Sequence, residues 1–119
     1  MKLQLIGTQL VKGLGVGEQS VIGKAVVATS AEEANSKVQD GDILVAKTTD
    51  PDYNPAIKKA SGLVVEASGL TSHAAVIGLS LGIPVVVGAT DATDKISDGS
   101  TITVDARRGA IYQGEISNL

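Results

Sequence analysis

Four short aliphatic runs, each bounded by Gly, Asp, Pro or a polar residue, constrain this fold more than any other feature. They are Gly23–Ala28, Ile43–Ala46, Gly62–Val65 and Pro84–Gly88. Runs this short and this rich in Val and Ile read as strands. The last three are almost uninterrupted apolar stretches, as expected of strands covered on both faces. Helical signals lie between them. Ser30-Ala31-Glu32-Glu33 is a capping box, which predicts a helix from Ala31 to about Val38. Pro55 suits the first turn of a helix through Ala60. A third helix is predicted over Ser72–Leu81, stopped by Gly82 and followed by Pro84. Near the end, Ser100–Asp105 alternates, Arg108-Gly109 turns, and Ala110–Gln113 comes back as a hairpin. The first 22 residues, rich in Gly and Val, predict irregular strands. There is no internal repeat and no low-complexity linker. The order predicts a single α/β domain over residues 1–119, with a mixed, partly parallel sheet and about three helices.

Composition narrows the function classes. The chain has 119 residues, enough for one core. Aromatics make up 2%, namely Tyr53 and Tyr112, so the core must be built from Val, Ile, Leu and Ala. That excludes stacking platforms for single-stranded nucleic acid and aromatic cages for cations. Cys is absent and His73 is the single histidine, which excludes a disulfide scaffold, Cys-ligated zinc and a multi-histidine metal site. The net charge is −3 and no Lys/Arg run is present, so neither nucleic acid nor an anionic membrane is an expected partner. No stretch is apolar and long enough to span a bilayer, and the first residues lack a signal-peptide core, so a cytoplasmic protein is expected. No P-loop or kinase signature occurs, and the chain has no expected cofactor of its own.

The segment able to carry chemistry is Gly69-Leu70-Thr71-Ser72-His73-Ala74-Ala75. It joins a strand to a helix. A glycine-containing turn there aims unpaired backbone N–H groups one way, and with the helix dipole they favour an anion. Gly69, Thr71 and Ser72 are the candidate phosphate-binding residues, the two hydroxyls being able to cap the helix or donate to a phosphate. His73 stands at the positive end of the helix, where the neutral, nucleophilic ring is favoured. An imidazole beside a phosphate cradle is what a phosphohistidine intermediate needs, so His73 is the candidate phosphoryl acceptor. The plainer reading is an ordinary capped or solvated histidine. Gly13-x-Gly15-x-Gly17 has the wrong spacing and surroundings for a dinucleotide loop. Arg107-Arg108 reads as an exposed hairpin turn and Lys58-Lys59 as a solvated helix face.

The run Gly69–Ile77, then Leu81-Gly82-Ile83-Pro84-Val85-Val86-Val87-Gly88, resembles the phosphohistidine swivelling domain of phosphoenolpyruvate-utilising enzymes. The likeness extends to Gly41–Ala46, the Thr49–Pro55 loop, Asp98-Gly99, Thr103–Asp105 and Gly109–Gly114, covering about residues 20–114. A closer likeness is to the extra C-terminal domain of pyruvate kinases from Bacillus-like and lactic acid bacteria, carried by Gly13–Gly17, Gly23–Ala28, Ala31–Ala34 and Leu70–Pro84. The resemblance implies a swivelling β/β/α fold and a glycolytic parent that converts phosphoenolpyruvate and ADP to pyruvate and ATP with Mg²⁺ and K⁺. It implies the parent's catalytic body as partner, with a phosphate or sugar phosphate as a further possible ligand. By itself this domain is expected to be inactive, a regulatory or interaction module. The other reading is an active phosphohistidine carrier, as in phosphoenolpyruvate synthase or pyruvate phosphate dikinase.

Three departures bear on that choice. Ser68-Gly69 stands where transferring members have paired glycines, and Gly78-Leu79 where they have Ala-Arg. The second removes a guanidinium from the phosphate site. Asp50 stands where the family tends to have Thr or Ser, and a carboxylate facing the site repels a phosphoryl group. Gly78 within a helix costs about 1 kcal/mol relative to Ala, which points to close packing or an adaptive change rather than helix optimisation.

Overall fold

The structure is a computed structural model and describes residues 8–69 and 72–114. The chain runs β1 (Gln9–Lys12), β2 (Leu14–Val16), β3 (Ser20–Val27), α1 (Ala31–Lys37), β4 (Ile43–Ala46), a 3₁₀ turn at Pro51–Tyr53 and α2 (Asn54–Lys59). It continues through β5 (Gly62–Val65), α3 (His73–Leu81), β6 (Val85–Val87), α4 (Ala92–Lys95), β7 (Thr101–Asp105) and β8 (Ala110–Gln113). The strand order is β1-β8-β7-β3-β4-β5-β6-β2. Strands β3, β4, β5 and β6 pair parallel, and the remaining pairs are antiparallel. The mixed, partly parallel α/β sheet expected from the sequence is therefore present.

The uninterrupted apolar strands have the expected cause. Successive side chains point to opposite faces, and both faces are covered. Leu44, Ala46, Leu63, Val65, Val85 and Val87 pack in one cluster with α1, α2 and α3. Ile43, Val45, Val64 and Val86 pack in the other with Ala92, Ile96, Ile102, Val104 and Ile111. Small aliphatic side chains fill both layers, and Tyr53 is the one aromatic in either.

The two ends of the strand order are consecutive in the chain. β1 pairs with β8 and β2 with β6, and Gly13 alone separates them, so the sheet curls until its edges meet. The backbones there nearly touch. A Cβ on Gly13 would lie 2.3 Å from the Val87 carbonyl oxygen, and one on Gly15 would lie 1.5 Å from that of Ala106. Close backbone approach accounts for Gly13 and Gly15, and Gly17 adopts φ +104°.

All three predicted helix starts hold. Ser30 Oγ accepts from the Glu33 amide at 3.1 Å. The reciprocal arm differs: Glu33 Oε1 passes Ser30 and accepts from the Thr29 amide at 2.6 Å and the Thr29 hydroxyl at 3.1 Å. Those bonds, the amide first, hold the Glu33 carboxyl below its ordinary range. The short α4 was not expected. Its cap Asp91 has φ 61° and makes no side-chain cap bond, so no start signal marks it.

Candidate functional site

His73 is the first residue of α3, and Ser72 is the N-cap, its Oγ accepting from the Ala75 amide at 3.4 Å. The Ser72 hydroxyl is thus engaged in capping. Gly69 sits at φ +116° with no neighbour around its Cβ position, and its carbonyl accepts from the Ser72 amide. That conformation belongs to glycine and turns the chain from β5 into α3. Thr71, the third candidate phosphate-binding residue, lies outside the described residues. At the other end Gly82 adopts φ 74° and closes the helix as a left-handed cap. The first-turn amides of His73 and Ala74 have no carbonyl partner within the helix, as at any helix start.

The imidazole is held at both nitrogens. Thr49 Oγ1 lies 2.7 Å from Nδ1, and Asn54 Oδ1 lies 3.0 Å from Nε2. With the Asn54 carbonyl oxygen as acceptor, Nε2 carries the proton and Nδ1 accepts from the Thr49 hydroxyl. This tautomer is assigned from the two hydrogen-bond partners of the ring. His73 is half-buried and Thr49 buried. The loop following β4 therefore meets the loop following β5 at the carboxyl ends of parallel strands, where open α/β sheets place their ligands.

The β4–α2 loop is fixed by its own bonds. The Asp50 carboxylate accepts from the Asp52 amide at 2.9 Å and caps the 3₁₀ turn. Asn35 on α1 donates to the Asp52 carbonyl and accepts from the Ala56 amide, both at 2.9 Å. Asn54 opens α2 directly after this turn, so its placement against His73 follows from the turn. Burial, then the Asp50 and Glu33 carboxylates, push the Tyr53 phenol above its ordinary pKa. Beyond β5, Glu66 accepts from the Thr93 hydroxyl at 2.6 Å and the Thr93 amide at 2.9 Å. These bonds, the hydroxyl first, lower its pKa.

Thr49 and Asn54 were missed as partners of His73. They lie 24 and 19 residues away, and only their membership of the family-like Thr49–Pro55 loop hinted at them. The other candidates fall where the sequence put them. Asp105 accepts from the Arg107 and Arg108 amides and pairs with the Arg108 guanidinium at 2.9 Å, which makes a hairpin turn. Lys58 and Lys59 are exposed on α2. Gly78 packs as closely as expected: a Cβ there would lie 2.1 Å from Val85 Cγ2. Leu79 faces outward, 62% exposed. Among the described residues no helix is long and apolar enough to cross a membrane.

Comparison with known proteins places this geometry. Residues 38–109, more than half of the chain, match the model of the PEP-utilising enzyme, mobile domain. The whole chain is 82% identical to part of a pyruvate kinase of Lactobacillus delbrueckii subsp. bulgaricus and 56% identical to part of one from Geobacillus stearothermophilus. In each it spans about a fifth (20%) of the relative's length. Over 110 residues it is 46% identical to a phosphoenolpyruvate synthase of Aeropyrum pernix, covering 92% of this chain and 13% of that one. Among solved structures, an Enzyme I (nEIt) solution structure aligns with TM-score 0.59 and 26% identity over 70% of this chain and 34% of that chain. Thermococcus kodakaraensis aconitase X shares the fold, with TM-score 0.66 and 17% identity over 88% of this chain and 98% of that one. With its strand order, its histidine at the head of α3 and the matched span, the chain belongs to the PEP-utilising enzyme mobile-domain family.

Proposed function

We propose that this chain is the regulatory or interaction domain of a pyruvate kinase, one that no longer transfers phosphate itself. The observation that carries the reading is the double engagement of His73 by Thr49 and Asn54. A nitrogen that attacks phosphorus must present a free lone pair. In the assigned tautomer Nδ1 spends its lone pair on Thr49, and Nε2 carries a proton bound by Asn54. The outward Leu79, where transferring relatives resemble one another in carrying Arg, supports the same reading. The likeness to part of pyruvate kinases supports a parent that converts phosphoenolpyruvate and ADP to pyruvate and ATP, with Mg²⁺ and K⁺ held by residues outside this chain. The domain would bias that parent's conformational equilibrium by packing on its catalytic body. Removal of residues 8–119 from the full-length polypeptide is expected to shift its phosphoenolpyruvate saturation curve while leaving kcat nearly unchanged. Identical saturation curves with and without the domain contradict the proposal.

The second reading, a phosphoryl carrier, is favoured by one feature: His73 sits at the head of α3, beside the turn at Gly69. In that reading the ring changes tautomer: the proton moves from Nε2 to Nδ1, which then donates to Thr49 Oγ1, and Asn54 moves away. Nε2 then attacks phosphorus, and the bond from phosphorus to the donor's leaving oxygen breaks. Incubation with phosphoenolpyruvate and a transferring partner domain, followed by intact-mass measurement, separates the readings. An acid-labile phosphoryl adduct absent from His73→Ala establishes the carrier. An unmodified mass under every donor supports the regulatory module.

A further inference from the structure

The segment between Glu66 and Asp91 contains no Asp, Glu, Lys or Arg, in a chain that is 19% charged. It includes all of α3. Ala74, Ala75 and Gly78 face the sheet and are buried, and the opposite side carries no charge: beside the exposed Ser80 it presents large apolar side chains. Val76 is 56% exposed and Leu79 62%, and Leu81 at the helix end is 42% exposed. A helix that faces water on one side ordinarily carries charge there, as α1 does with Glu32 and Lys37 and α2 with Lys58 and Lys59. Large apolar side chains on every face of a helix ordinarily mark a buried helix.

We infer that the outward face of α3, centred on Val76 and Leu79, is covered by the remainder of the polypeptide to which this chain belongs. The inference rests on the reading that the chain is one domain of a longer pyruvate kinase. The occupant is an apolar, uncharged surface outside residues 1–119. Two observations favour it over a second copy. The chain spans 20% of its pyruvate kinase relatives, which leaves four-fifths of such a polypeptide available. The face is also small. A nine-residue helix is about 14 Å long and about 10 Å wide, a few hundred Å² at most, against about 800 Å² per partner in a stable interface between separate proteins. A tethered surface needs less, because the linker holds it at high effective concentration.

The test uses the full-length polypeptide and hydrogen exchange read by mass spectrometry. Val76→Glu and Leu79→Glu together are expected to raise exchange several-fold in a stretch outside this domain. Ile22→Glu, at a 45% exposed apolar position on β3, is expected to raise none there. Unchanged exchange at β5 and β6 verifies that the domain remains folded. If deletion of the domain uncovers the body but the α3 variants do not, the domain docks by another face and this inference fails while the proposed function stands. If deletion uncovers nothing, both fail. If the α3 variants instead split an oligomer joined through this domain without exposing the body, the occupant is a second copy and the inference is overturned.

Discussion

Gly78→Ala sets two effects of opposite sign against each other. In a helix interior the change gains about 1 kcal/mol of propensity. In this structure the new methyl would lie 2.1 Å from Val85 Cγ2, where carbon atoms normally rest at about 3.5–4.0 Å. Val85 cannot yield cheaply. It is fully buried, its χ1 is restricted by β-branching, and its backbone is paired with β2 on one side and β5 on the other. The helix must lift from the sheet, and overpacking of this kind costs about 1–3 kcal/mol. An overlap of about 1.5 Å against such a rigid neighbour puts the cost near the upper end, for a net loss of about 2 kcal/mol. Urea unfolding followed by far-ultraviolet circular dichroism measures it as a lower midpoint at constant slope. Val85→Ala removes the obstructing methyls, so the Gly78→Ala/Val85→Ala pair is expected to lose at least about 1 kcal/mol less than the two single losses summed. A single variant stabilised by about 1 kcal/mol, or strict additivity in the pair, refutes the packing argument.

Acid is expected to destabilise the domain through three carboxylates. Glu33, Glu66 and Asp98 have lowered folded-state pKa values, held chiefly by the Thr29 amide, the Thr93 hydroxyl and the Val27 amide respectively. A group with a depressed folded pKa adds stability above its unfolded value and loses it as pH falls through the folded one. Urea midpoints are therefore expected to be flat from pH 7 to about 5 and to fall progressively below the ordinary carboxylate range, with a shallower fall in Glu66→Gln. Equal slopes in both proteins contradict this. Asp91 is the one non-glycine residue with positive φ among the described residues, and its side chain caps nothing. Asp91→Gly is expected to raise stability by up to about 1 kcal/mol by relieving that backbone, and a loss of similar size in the thermal midpoint argues otherwise.

Much of the fold was legible because local chemistry agreed with the final packing. Ser30 and Ser72 cap the helices they precede, Gly82 adopts the left-handed turn its position implied, and the aliphatic runs became strands covered on both faces. Close packing at Gly78 was one of two readings of the cost that glycine carries inside a helix, and the contact with Val85 selects it. What could not be read depends on contacts between distant segments. The meeting of β1 and β2 at Gly13 rests on backbone approach to Val87 and Ala106, which leaves no periodic trace. The expected repulsion from Asp50 was conditional on its direction, and its carboxylate is bonded to the Asp52 amide. In the site, the histidine and its glycine turn stood out as one contiguous motif. Thr49 and Asn54 did not, because they reach His73 only after the 3₁₀ turn and α2 have folded against α1.

The hold on His73 is best measured at the ring itself. Long-range proton–nitrogen NMR of the ¹⁵N-labelled protein at neutral pH reports which nitrogen bears the proton. A proton held on Nε2 is expected, and Asn54→Ala is expected to give a mixture of tautomers and faster acylation of the ring. A wild-type ring already averaged between tautomers, or one with Nε2 unprotonated and free to attack, contradicts a histidine retained as part of the scaffold.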